Sequence, residues 1–151
     1  MLDHTETFGS LYQVLSELGA KNLLKTLKNI SSNKEILQND KLVSYAPKIK
    51  KLDTKLDFNH QAAALEARVR GLAPTPGAWF EYKNERFKVW KAEIVNQNSN
   101  AGKIIDDRLT IACKEQSIKI LEIQREGKKV QKIGEFMLGS KIKKGSILSN
   151  V

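Results

Sequence analysis

Groups that enzymes and membrane proteins depend on are scarce in this 151-residue sequence, which has one cysteine, two histidines and no long apolar run. Cys113 cannot form an internal disulfide, and its place in an alternating apolar run predicts a buried thiol rather than a nucleophile. The apolar runs span a few residues, whereas a membrane helix needs about 20. The N-terminus also lacks a basic head followed by an apolar core, so we expect no secretory signal. These features favour a reducing, cytoplasmic setting without membrane attachment.

Catalytic constellations are equally sparse. His4 lies near the terminus, and His60 is expected to face solvent at the start of a helix. Asn59 and His60 are neighbours on that helix, so their side chains would diverge by about 100°. Asp106-Asp107 is more typical of a turn than of a metal site, and the histidines and the cysteine make no zinc pattern. No phosphate-binding loop and no dinucleotide fingerprint is present.

Positive charge is abundant and unevenly distributed. The chain has 26 Lys/Arg against 17 Asp/Glu, a net charge of +9. Residues 78–151 carry a net +6, whereas residues 1–58 carry +2. A basic excess in one module attracts polyanions, which favours nucleic acid, although a solubilising lysine surface would have the same composition. An anionic membrane is less favoured because no segment joins a basic face to a broad apolar face bearing aromatics.

Residues 1–32 have the spacing of two short amphipathic helices. Thr5 or Thr7 can cap the first, and Gly19 is expected to end it. The second follows directly and closes at residues 31–33. A pair this small has little against which to bury its apolar stripes, so the stripes either pack on the rest of the chain or on something outside it.

Residues 33–56 are polar, rich in lysine and without a clear period, which indicates a basic linker. Asp57 or Asn59 can cap a third helix that ends near Arg70-Gly71. Its inner stripe is predicted to comprise Ala62, Leu65, Val69 and Leu72. Arg68 and Arg70 cannot both lie on that stripe, so at least one should reach solvent or a ligand.

After Pro74, Pro76 and Gly77 the apolar period changes from about 3.6 to 2, which predicts strands. We expect them at residues 78–82, 87–95, 103–106, 109–113 and 118–124, followed by a short helix over 133–138 that stops at Gly139. Trp90, Ala92 and Ile94 should share one face, and both tryptophans are expected in the core rather than as stacking platforms for bases. Five short strands with flanking helices favour an α+β fold with a small, closed, OB-like β-barrel.

Several motifs occur in the order in which they stand in one family. They are YAPKI at 45–49, LDF at 56–58, VRGLAPTPGA at 69–78, QREGKK at 124–129 and EFMLG at 135–139. Together with the Gly-Ala at 19–20 and the Thr-Leu at 26–27, this chain resembles the end of the folate domain, the linker and the C-terminal domain of methionyl-tRNA formyltransferase. Phe58 replaces the usual tryptophan, and Gly71 replaces the usual alanine.

The resemblance implies three regions: residues 1–32 as terminal helices of a catalytic domain that lies outside this chain, 33–56 as a basic linker and 57–151 as the OB-like domain. That family transfers a formyl group from 10-formyltetrahydrofolate to initiator methionyl-tRNA during translation initiation. We carry over no catalytic residue and expect the chain alone to be inactive and to bind no cofactor and no metal. Its implied role is to hold tRNA, with a separate N-terminal catalytic domain as a possible partner and no role for DNA. The predicted tRNA contacts are Lys48, Lys50, Lys51, Arg68, Arg70, Lys88, Lys128 and Lys129.

Two alternatives stay open at this point. The chain could be the tail of a formyltransferase that acts on a sugar nucleotide, for which a +6 surplus is less necessary. It could instead be a stand-alone basic nucleic-acid-binding module, although exposed apolar faces in residues 1–32 would argue for a partner.

Overall fold

The computed structural model describes residues 5–148, and within them it contains three α-helices and a five-stranded antiparallel sheet. The predicted α+β class is therefore confirmed. The elements are α1 (Phe8–Lys28), α2 (Ala62–Leu72), β1 (Ala78–Tyr82), β2 (Glu85–Val95), β3 (Thr110–Ala112), β4 (Ser117–Arg125), β5 (Val130–Lys132) and α3 (Ile133–Leu138). Short 3-10 turns at Asp40–Leu42 and Leu52–Thr54 interrupt the segment between α1 and α2.

Helix α1 is one continuous helix, so the prediction of two helices divided at Gly19 is wrong. Thr7 caps it through a reciprocal pair: its Oγ1 accepts from the Ser10 amide, and its own amide donates to Ser10 Oγ. A lone glycine costs a helix interior only about 1 kcal/mol, so the helix continues through Gly19 although the apolar residues before and after it lie on different sides of the helix. No residue of α1 is buried. Its apolar side chains are therefore not packed in the core of the sheet.

Helix α2 covers one face of the sheet. The predicted inner stripe is confirmed, because Ala62, Leu65, Val69 and Leu72 are all buried. Its cap, Gln61, lies four residues after the earliest predicted cap, since Asp57 accepts from the Asn59 amide in a separate turn. Its stripe joins a core drawn from the inner side of the sheet, from α3 and from the residues just before α2. That core includes Leu56, Phe58, Phe80, Phe87, Val89, Ile111, Ile118, Ile120, Ile123, Phe136 and Leu148.

Strand β4 is the centre of the sheet. It pairs with β2 along one side, while β3 and β5 pair with its first and second halves on the other side. The order is β1-β2-β4-β3, and within residues 5–148 no strand pairing joins β1 to β3. The sheet is therefore open, and the predicted closed barrel is wrong.

Irregular segments cover both edges instead. Lys55 makes a single parallel bridge to Trp79 on β1, and Ile104 makes a single antiparallel bridge to Ile111 on β3. The predicted strand at 103–106 is limited to isolated bridges because Asp106 turns the chain, accepting from the Arg108 and Thr110 amides. Strand β5 was not predicted, since its three residues are all exposed and carry no alternating pattern.

A bulge divides β2 into two parts that face differently. Phe87 and Val89 are buried, but the register with β4 shifts on either side of Lys91. After the shift, Ala92 packs against the core and Ile94 is exposed. The prediction that Trp90, Ala92 and Ile94 share one core face is consequently wrong, because the irregular pairing of residues 90–91 with residues 121–122 breaks the strict alternation of faces in both strands. Trp90 is half-buried and lies outside the core cluster.

Candidate nucleic-acid interface

Trp79 fastens the basic linker to the sheet. Its indole is 6% exposed, and Nε1 donates to Thr54 Oγ1 at 2.9 Å while lying 3.4 Å from the Lys51 carbonyl oxygen. Thr54 Oγ1 in turn donates to that same carbonyl oxygen at 2.8 Å. The Leu56 amide donates to the Trp79 carbonyl oxygen at 2.7 Å. Residues 51–56 are therefore fixed along the edge of β1.

This attachment determines where the predicted linker contacts lie. Lys48, Lys50 and Lys51 are all exposed, and Lys50 is further constrained because its amide donates to Asp53 Oδ2 at 2.7 Å. The contacts that hold Lys50 and Lys51 use their backbone atoms, so the lysine ammonium groups remain available for solvent or a ligand. Exposed lysines on an ordered segment have the chemistry of phosphate contact without base recognition.

Strand β2 adds positive charge next to the linker. Lys88 stands opposite Trp79 in the β1–β2 register, so the two side chains share one side of the sheet. Arg86 lies on the same side, with its guanidinium carbon 4.5 Å from the centroid of the Trp79 ring. Lys55 approaches that ring from the linker, its Nζ 5.6 Å from the centroid. We call Lys55, Trp79, Arg86 and Lys88 the tryptophan-centred cluster.

Sequence reasoning included Lys88 but missed Arg86. The alternation along β2 contained the signal, because residues 86 and 88 must face the same way on a regular strand. Lys55 was noted as part of the basic linker but not as a predicted contact. Its position over Trp79 depends on a bridge between segments 24 residues apart, which no local pattern reveals.

The turn between β4 and β5 completes the basic side of the sheet. Gln124 stands opposite Lys88, and its Nε2 donates to the Lys128 carbonyl oxygen at 2.7 Å. Trp90 Nε1 donates to Gln124 Oε1 at 3.1 Å, so the half-exposed indole lies on this side as well. A groove of about 260 Å³ runs here between Arg86, Lys88, Gln124, Glu126 and Gly127. Lys128 and the neighbouring Lys129 are exposed beside it.

The two arginines of α2 have different environments. Arg68 is exposed. Arg70 is half-buried: its Nε donates to Glu66 Oε1 at 2.7 Å, and its Nη1 donates to the Glu6 carbonyl oxygen at 3.0 Å. The second bond, together with one from the Gly9 amide to the Ala73 carbonyl oxygen, ties the start of α1 to the end of α2. Arg70 therefore has a structural task in this chain.

A larger cavity of about 610 Å³ lies by the turn of the β1–β2 hairpin, against α3. Tyr82, Phe87 and Phe136 line its apolar part, and Lys128 and Lys129 also line it. Two of the predicted contacts thus border this cavity.

The groups weighed for catalysis do not converge. His60 is exposed, with its Nε2 4.0 Å from Asp57 Oδ2. Burial raises the pKa of the Cys113 thiol to about 11, despite a backbone hydrogen bond from Ile118. Burial acts to raise the pKa of Asp106 too, but hydrogen bonds from Thr110 and Arg108 outweigh it and hold that pKa below its usual value. Residues 5–148 contain no cluster of metal-binding side chains, and none of their helices has the length and apolarity to cross a membrane.

Comparison with known proteins follows the same direction. The family model for the formyl transferase C-terminal domain matches residues 48–141. Methionyl-tRNA formyltransferase of Pelagibacter ubique is 41% identical over 152 residues, which cover 99% of this chain and 48% of that protein. The enzymes of the same name from Sphingopyxis alaskensis and Rickettsia felis are 39% and 35% identical, covering 93% and 97% of this chain. The chain spans about half the length of these curated relatives.

Among solved structures, a variant of HypX from Aquifex aeolicus superposes with a TM-score of 0.67 over 99% of this chain and 31% of that chain. The identity is 15%, so this likeness concerns the fold alone. The sequence resemblance to the C-terminal part of methionyl-tRNA formyltransferase is confirmed by the family match and by the curated relatives. With more than half of its residues matched by the family model, the chain belongs to the family of formyl transferase C-terminal domains.

Proposed function

We propose that this chain is the tRNA-holding half of a methionyl-tRNA formyltransferase. In this proposal residues 57–151 and the basic linker, 33–56, bind initiator methionyl-tRNA, while residues 1–32 belong with a separate catalytic domain. That domain would transfer the formyl group from 10-formyltetrahydrofolate, and this chain would bind no cofactor. A cytoplasmic location and the absence of any DNA ligand are parts of the same proposal. It also takes the open sheet to be OB-like, a fold in which nucleic acid lies across the strands.

The observation that carries the proposal is the attachment of the lysine-rich linker to the sheet by Trp79. It holds the linker from Lys51 onward against β1, where Lys88 stands opposite Trp79, on a chain whose curated relatives carry that enzyme's name. Phosphate contact by lysine and arginine is sequence-independent and fits a partner recognised by its folded shape.

The test is a titration of initiator tRNA with the whole chain at several salt concentrations. We expect affinity to fall steeply as salt rises, because each phosphate contact releases about one counterion. Replacing Lys48, Lys50 and Lys51 by glutamine should lower the slope of log affinity against log salt by up to about 3. A matched control replaces Lys21, Lys25 and Lys28 of α1, which removes the same charge from a distant exposed helix.

The proposal has a clear failing result. Equal slopes for the two triple variants would show that the linker makes no specific contribution, and absence of tRNA binding at low salt would remove the tRNA role. Preference for a sugar nucleotide over tRNA would instead support the tail of a sugar-nucleotide formyltransferase. A formylation assay on the chain alone should read background.

A further inference from the structure

Arg86 is a cation without an anionic partner. Its Nε is enclosed and has no hydrogen-bond partner, and within residues 5–148 its side chain forms no ion pair. Glu81 stands opposite Arg86 in the β1–β2 register, at the spacing where an ion pair would be expected. The guanidinium lies over the Trp79 ring instead. The face of the ring attracts the cation.

Two further cations surround this arrangement. Lys55 Nζ lies 5.6 Å from the centroid of the same ring. The stem of Lys88 lies close to Gly77, because a Cβ added at Gly77, whose φ is +83°, would lie 3.3 Å from Lys88 Cδ. Neither lysine forms an ion pair in the described part of the chain. Two cations thus lie over one indole ring, and a third, Lys88, stands opposite that tryptophan in the β1–β2 register.

The groove beside them is lined by Arg86 and Lys88 together with Gln124, Glu126 and Gly127. Glu81 and Glu126 are the neighbouring carboxylates, and neither is paired with Arg86 or Lys88. An anion in the groove would relieve the repulsion between the cations. A guanidinium that already lies over an aromatic ring loses less freedom when it binds a tetrahedral oxyanion than a mobile lysine does.

We propose that Arg86, which lies over the Trp79 ring, forms with Lys88 and Lys55 a binding site for one phosphate group of an RNA backbone. The identity of the RNA rests on the function proposed above, whereas the phosphate site stands on the geometry of the tryptophan-centred cluster. The guanidinium N–H groups of Arg86 would donate to two phosphate oxygens, and the ammonium groups of Lys55 and Lys88 would add positive charge.

The first experiment observes the site directly on the wild-type chain. In a protein labelled with ¹⁵N-arginine, the Nε–Hε signal of Arg86 is assigned by its loss in Arg86→Lys. Titration with inorganic phosphate should shift this signal along a saturating curve, whereas sodium chloride of equal ionic strength should not. Lys88→Gln should weaken the phosphate affinity at least threefold. The exposed Arg108 is the internal control, since its signal should follow ionic strength alone.

The second experiment tests whether RNA uses the site. Arg86→Lys preserves the charge but removes the planar fork, and we expect it to weaken initiator tRNA binding at least fivefold at 0.15 M salt. The matched control, Arg108→Lys, should bind within twofold of wild type. The near-ultraviolet circular dichroism of Trp79 and Trp90 checks that the variant retains the wild-type packing.

The outcomes separate the two proposals. If wild-type protein binds tRNA but Arg86→Lys binds it equally well, the phosphate site is refuted and the tRNA role stands. If Arg86 binds inorganic phosphate while the chain binds no tRNA, the tRNA role is refuted and an anion site of other purpose stands. If phosphate moves the Arg86 signal no more than chloride does, the site is refuted whatever the tRNA result.

Discussion

Replacing Trp79 by phenylalanine tests how the linker is attached to the sheet. The substitution keeps an aromatic ring in the core but removes the indole Nε1, the donor to Thr54 Oγ1. Thr54 would still donate to the Lys51 carbonyl oxygen, so the 3-10 turn can persist locally. What it loses is its connection to β1.

The magnitude follows from three losses at one buried side chain. The smaller ring removes buried apolar surface and leaves a cavity, at about 1.5 kcal/mol. The lost hydrogen bond adds about 1 kcal/mol. The weaker attraction of phenylalanine for the two cations over the ring adds roughly 0.5 kcal/mol. We therefore expect the free energy of unfolding to fall by about 3 kcal/mol, with Tm lower by roughly 8 °C.

Urea unfolding followed by circular dichroism measures this loss, and Trp90→Phe is the matched control. Trp90 is half-buried and has one indole hydrogen bond, to Gln124, so its replacement should cost about 1 kcal/mol. Affinity for tRNA should fall on the order of fivefold in Trp79→Phe, because loosened linker lysines pay more entropy to bind. Equal destabilisation by the two substitutions would refute the structural reasoning. Unchanged tRNA affinity in a destabilised Trp79→Phe would refute the link to binding.

Other substitutions test the remaining parts of the fold. Gly9→Ala should weaken hydrogen-exchange protection at the start of α1, because the new Cβ would lie 2.6 Å from Pro74 Cδ. Gly19→Ala places its Cβ with nothing within 4 Å and should stabilise α1 by about 1 kcal/mol, which would appear as stronger exchange protection. Stronger protection in Gly9→Ala than in Gly19→Ala would contradict the packing. Cys113, with its pKa raised to about 11, should react with a thiol reagent at pH 8 only after unfolding. The contribution of the buried neutral thiol to the free energy of unfolding should be complete below pH 9 and be lost as pH rises through 11. Asp106→Asn should destabilise by about 1 kcal/mol at pH 7. Since the pKa of Asp106 is lowered by folding, that difference should close as pH falls below the usual value of 3.8, and a difference constant from pH 7 to pH 2 would contradict it.

Local periodicity predicted the helices that pack on the sheet. The stripe from Ala62 to Leu72 is buried throughout, and α3 has the predicted bounds, 133–138, because both patterns depend on contacts one or two turns apart. Gly19 was misread for the same reason. Its chemistry permits a helix end, and the apolar residues change sides of the helix there, but the backbone continues as one helix through that change.

The sheet depended on information that no single segment contains. The irregular pairing near Lys91 is a property of the register between β2 and β4, and it places Ala92 against the core, while Trp90, which alternates with Val89, lies outside it. The open edge follows from the turn held by Asp106, which keeps residues 103–106 from becoming a full strand. Alternation identifies a strand, but pairing determines where it bends and which of its faces is buried.

The candidate site, too, could be predicted only in part from the sequence. Lys48 and Lys88 were both predicted as tRNA contacts, and Lys88 does stand opposite Trp79, the residue that fastens linker residues 51–56 to β1. Their contact with tRNA stays a prediction. Arg70, the arginine of the motif at 69–78, already donates hydrogen bonds to Glu66 and to the carbonyl oxygen of Glu6. Charge in a sequence therefore identifies candidates, and tertiary contacts determine which candidates are already used.

The contrast among the cations of the sheet shows what a net charge conceals. Lys119 and Arg125 are paired with Glu93 and Glu85, and these pairs occupy two of the carboxylates in residues 78–151. The surplus is thereby shifted toward cations that have no such partner, Arg86 among them. A +6 module with its ion pairs spread evenly would present a weak, uniform field. Since none of the ion pairs in residues 5–148 involves Arg86, Lys88 or Lys55, a polyanion bound beside Trp79 would reduce the repulsion between these cations.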